Sequence, residues 1–141
     1  MTWIPFALVT TVFLAAADFF IKLAAGKLSN SLALLLYGSC TFVSGLSWVL
    51  LDKARGVEIH AQVPGVLAAI GVGVAFSAVT VGLYVSFGAG APISLVSPFV
   101  RLGGLFIASL AGLFLLHEPL TLRYAIGMVL AIGGVYLIIT R

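Results

Sequence analysis

Asp18, Lys22 and Arg101 are the residues of this chain with the most chemistry in them, because each is an ionisable side chain set in an otherwise apolar run. Inside a membrane crossing such a group costs roughly 2.5–3.5 kcal/mol at the helix centre and therefore faces a bundle interior, a partner or a polar cavity. At about 1.5 Å per residue, Asp18 and Arg101 each fall roughly 6 Å from the middle of their apolar stretches, displaced toward the same membrane face. A pair between them is within geometric reach. Lys22 lies one turn from Asp18 on the same helix face, where its stem can snorkel toward the interface. Two readings stay open: the charges neutralise one another and lock the bundle, or they line the path of a solute.

Small and polar residues accompany these charges at helical spacing. Thr11 and Ala15 share a face with Asp18 and Lys22, and Tyr37, Thr41, Ser44 and Trp48 share one on the second apolar stretch. Gly73, Ser77, Thr80 and Tyr84 do so on the third, and Ser97 and Arg101 on the fourth. A cavity lined by hydroxyls, aromatic rings and a few charges suits a polar or amphipathic solute, though the same stripes could be close-packing seams. Pro98 removes a backbone hydrogen bond one turn from Arg101 and bends its helix there. Gly104, Ala108 and Gly112, with Gly127, Ala131 and Gly134, form small-residue faces expected at a dimer contact rather than on the path.

Other chemistry is missing. His117-Glu118 begins like a zinc-protease helix, but position 121 is Thr where the second His would stand. Neither Gly71-Val72-Gly73 nor Gly88-Ala89-Gly90 has a third glycine at nucleotide-binding spacing. Cys40 stands alone and reads as a small packing residue. The chain is expected to be no enzyme and to use no cofactor or metal.

The elements that must position these residues follow from composition. Of 141 residues, 62% are hydrophobic and 8% charged, against about 25% charged in a soluble domain. One crossing takes roughly 20 apolar residues, so the chain holds five with short connections. That excludes a soluble enzyme, a nucleic-acid-binding domain and a secreted disulfide scaffold. The expected fold is an all-α integral membrane protein, one five-helix domain over residues 1–141 with crossings at about 3–25, 31–51, 63–88, 93–116 and 121–140. Only a helical bundle satisfies the backbone in lipid. Pro64 suits a helix start, and the segment from Asp52 to Gln62 is the one clearly hydrophilic loop.

An odd number of crossings puts the two termini on opposite faces. Lys53, Arg55 and Arg123 fall on the N-terminal face, and Lys22, Lys27 and Arg141 on the other, three against three with Arg101 embedded, or three against two with Lys22 embedded as well. Lys/Arg asymmetry sets orientation, so a balanced chain is expected to insert both ways and form an antiparallel homodimer.

Several weak patterns then occur in a telling order. Phe19-Phe20-Ile21-Lys22 ends the first helix, Ser94-Leu95-Val96-Ser97-Pro98 starts the fourth, Leu115-Leu116-His117-Glu118-Pro119-Leu120-Thr121 joins it to the fifth, and Gly127 with Gly133-Gly134-Val135 marks that last helix. Across essentially its whole length the chain resembles a single EamA-type repeat of the drug/metabolite transporter superfamily, especially its small bacterial and archaeal one-repeat members. The resemblance implies a prokaryotic inner-membrane exporter of metabolites or drugs. Relatives fuse two inverted five-helix repeats, so a one-repeat member needs an antiparallel partner, with its substrate site near the midplane and alternating access by rocking. Glu118 matches the family pattern and reads as an interfacial cap. Either Asp18 exchanges protons for a cationic solute, or it pairs with Arg101 or Lys22 and leaves a basic cavity for an anionic or zwitterionic one. The rival expectation is a non-transporting membrane subunit that stabilises a larger complex.

Overall fold

The computed structural model describes residues 3–117, 119 and 121–140. Glu118 and Arg141, which enter the cap and the charge balance above, lie outside the described residues. Among the described residues there are five helices: α1 (Ile4–Ala24), α2 (Asn30–Ala54), α3 (Val63–Gly88), α4 (Ile93–Leu115) and α5 (Leu122–Ile139). Each is long and apolar enough to cross a membrane, and burial within the chain reaches at most 11% of any apolar span. Water would not tolerate so much uncovered hydrocarbon surface, whereas lipid does.

Local chemistry explains where the helices begin and end. Pro5 and Pro64 stand in the first turns of α1 and α3, where a missing N–H costs nothing. Ser29 and Thr121 cap α2 and α5 by accepting from the backbone N–H of Leu32 at 3.4 Å and of Tyr124 at 3.3 Å. After α1 the chain reverses in a type II turn, with Ala25 at φ −58°, ψ 132° and Gly26 at φ +77°. The Lys27 N–H closes that turn on the Ala24 carbonyl at 3.0 Å.

The end of α2 differs from the expected one. The apolar run stops at Leu51, but the helix continues to Ala54 and closes in a Schellman motif. Gly56, at φ +72°, lets its own N–H reach the Lys53 carbonyl at 3.1 Å and that of Val57 reach Asp52 at 3.0 Å. Hydropathy marks where lipid ends, and glycine marks where the helix ends. α4 stops differently, with His117 in the left-handed region at φ 53° immediately beyond the helix cap.

The chain divides into two compact units, residues 1–89 and residues 90–141. In the first, α3 packs against both α1 and α2; in the second, α4 packs against α5. Among the described residues, five of the six that are buried (Asp18, Ala33, Thr80, Leu83 and Phe87) belong to the first unit, and Gly112 to the second.

Candidate intramembrane polar site

Two polar side chains are buried on helices that pair in the first unit, Asp18 on α1 and Thr80 on α3. Asp18 is 4% exposed and Thr80 7% exposed, alongside the buried Leu83 and Phe87. The register of the seam is given by Lys22, whose ammonium donates to the Phe87 carbonyl at 3.5 Å. It also lies 5.5 Å from the centroid of the Phe87 ring, within the range of a cation–π contact. Stepping back one turn along each helix brings Asp18 level with Leu83, with Thr80 about one turn deeper. The Gly26 turn lies beside the same place: a Cβ on Gly88 would sit 4.0 Å from the Gly26 nitrogen.

Lys22 therefore has a definite electrostatic task. The last carbonyls of α3 lack helical partners and carry the negative end of its dipole. An ammonium supplied by α1 meets that end and satisfies one of those carbonyls. This joins two membrane helices at their ends by a charge-assisted contact.

Hydroxyls in the spans mostly look after themselves. Thr80 donates to the Phe76 carbonyl at 2.8 Å, Ser77 to Gly73 at 2.8 Å, Thr41 to Gly38 at 2.9 Å and Ser44 to Cys40 at 2.8 Å. Back-bonding to the preceding turn lets such residues sit in apolar surroundings without an outside partner. On α2, Tyr37 is half-buried, while Thr41, Ser44 and Trp48 are exposed, Trp48 at 71%. The α2–α3 side instead presents a different set. An open groove of about 560 Å³ there is lined by Ser31, Gly38, Ser39, Phe42 and Ser77, among others. Of these only Ser77 was expected on the path. Ser31 and Gly38 stand seven residues apart, two helical turns, and that spacing was the available signal.

In the second unit, Ser97, Pro98 and Arg101 are half-buried on α4, and Pro98 lies inside the helix as expected. The Tyr124 hydroxyl donates to Ser109, and Ser109 donates to the Leu105 carbonyl at 2.6 Å. Two apolar grooves flank the α4–α5 contact. One, of about 340 Å³, passes Phe106, Tyr124 and Met128; the other, of about 320 Å³, passes Phe99, Ala131 and Tyr136. Gly112 is buried within the chain, and Ala131 faces the α4–α5 groove. A Cβ at Gly104, Gly127 or Gly134 would meet nothing within 4 Å, so packing within the chain does not require glycine there.

No group of three or more His, Cys, Asp or Glu side chains among the described residues could hold a metal ion. The fold and the buried seam together define a helical protein with five helices fit to span a membrane, carrying a carboxyl inside one of them. The chain matches no protein-family model, no curated protein and no solved structure.

Proposed function

We propose that this chain is half of a membrane transporter that moves small metabolites or drugs, and that it works as an antiparallel homodimer by alternating access in a prokaryotic inner membrane. The observation that carries the reading is Asp18: a carboxyl only 4% exposed, on a helix otherwise fit for lipid. Intramembrane ionisable groups are costly and are retained on substrate and ion pathways. The EamA-type resemblance and the balanced Lys/Arg distribution support the same reading, since an odd-helix repeat needs an inverted partner.

Purified protein reconstituted in liposomes and screened with metabolites and drugs is expected to move at least one of them. Asp18→Asn is expected to abolish any proton coupling; unchanged coupling removes Asp18 as the carrier. Reporter fusions at the C-terminus are expected to be active on both sides of the membrane, and activity on one side alone overturns the antiparallel dimer. A protein that moves nothing and co-purifies with a different membrane chain is instead a stabilising subunit.

A further inference from the structure

Ser97 departs from the pattern of most hydroxyls in the spans. Thr10, Thr11, Ser44, Ser77, Thr80 and Ser109 each donate to the carbonyl four residues earlier. The Ser97 Oγ is buried and has no hydrogen-bond partner. A buried hydroxyl left unsatisfied carries a desolvation penalty that back-bonding to the Ile93 carbonyl would relieve.

Its neighbours give the orphan a context. Pro98 follows directly and brings no N–H to the Ser94 carbonyl, so the helical ladder is interrupted beside Ser97. Arg101 is four residues on, hence on the same face, and is half-buried. It stands three residues from Gly104 at the middle of α4, about 4.5 Å along the axis. Coverage also concentrates here: residues 95–98 and 100–102 are half-buried, while residues 103–108 are exposed.

We infer that Ser97 and Arg101 form an oxyanion-binding step on α4, taking the carboxylate or phosphate group of the transported solute; this rests on the transport reading above. The chemistry is that of donors. A guanidinium offers five N–H groups in a planar fork matched to carboxylate and phosphate, so one partner does not exhaust it. A serine hydroxyl with no bond to its own backbone adds a donor one turn away. A guanidinium offers a cation no acceptor, so the step does not select one. Depth separates a solute from a lipid headgroup, because the edge of the hydrocarbon lies about 15 Å from the midplane and Arg101 is far inside it.

The test uses the full chain with three oxyanion probes (succinate, glutamate and glycerol 3-phosphate) and one cation, tetraphenylphosphonium. Binding is measured by equilibrium dialysis in detergent, and uptake in phosphatidylcholine vesicles with and without phosphatidylglycerol. At least one oxyanion is expected to bind and be taken up, independently of phosphatidylglycerol. Arg101→Gln should weaken its binding about a hundred-fold, with part restored in Arg101→Lys, and Ser97→Ala about ten-fold. Ser97→Ala should also raise the thermal unfolding temperature, because it deletes an unsatisfied group; a hydroxyl with a merely structural bond would lower it. Unchanged affinity in Ser97→Ala with reduced stability overturns the step, as does binding that appears only with anionic lipid. Uptake of the cation alone overturns the step and leaves transport standing. Oxyanion binding without uptake keeps the step and removes transport, and a chain that neither binds nor moves any probe removes both.

Discussion

The three-helix unit and the two-helix unit treat polarity in opposite ways. In residues 1–89, the polar side chains that matter are drawn inward: Asp18 and Thr80 are buried, and Lys22 spends its charge on the end of α3. In residues 90–141, α5 buries nothing, and apolar grooves of about 340 and 320 Å³ run beside its contact with α4. Geometry accounts for part of this. A helix that packs against two others, as α3 does, has a face hidden from lipid, whereas a two-helix hairpin has one line of contact and two open flanks. The first unit thus buries its polar groups along α1 and α3, whereas the second leaves α5 exposed and confines its buried polarity to Ser97 and Arg101 on α4.

Substitutions can break that contrast or sharpen it. Phe87→Ala has the largest expected effect on stability, about 2–3 kcal/mol in mixed-micelle unfolding. This lies below the cost in a water-soluble core because lipid supplies no transfer term and mainly packing is lost. The matched change in the other unit, Phe99→Ala at a ring 57% exposed, should cost less than about 0.5 kcal/mol. Equal losses would erase the difference between the units. Lys22→Met should cost about 1 kcal/mol through the end of α3, read as faster hydrogen exchange confined to its last turn. Tyr124→Phe removes the hydroxyl link to Ser109 and should cost about 0.6 kcal/mol, typical of hydrogen bonds between membrane helices. Cys40→Ala, at an exposed position, should leave the unfolding midpoint unchanged within about 0.5 kcal/mol.

Hydropathy made the five spans legible, since length and apolarity are properties of the sequence itself. That Asp18 turns inward also follows from its type, because lipid penalises a carboxyl wherever it stands. The face chosen on α2 did not follow in the same way. Helical spacing puts Tyr37, Thr41, Ser44 and Trp48 on one face, but a hydroxyl bonded to its own helix can face anywhere, and the open groove on α2 runs past Ser31, Gly38 and Ser39. The role of Lys22 was hidden for another reason. Its partner is a backbone carbonyl 65 residues away, and carbonyls carry no sequence signal. The orphan at Ser97 has no sequence signal either, because an unmade hydrogen bond is a property of the folded chain.

The contact from Lys22 to the end of α3 has a kinematic consequence. Sliding α1 past α3 by one helical turn, about 5.4 Å, would carry the ammonium from 3.5 Å to well beyond hydrogen-bonding range and out of reach of the Phe87 ring. Shear along that seam is thereby penalised, while swinging α1 and α3 together costs the contact nothing. Any motion that keeps this contact therefore carries α1 and α3 together.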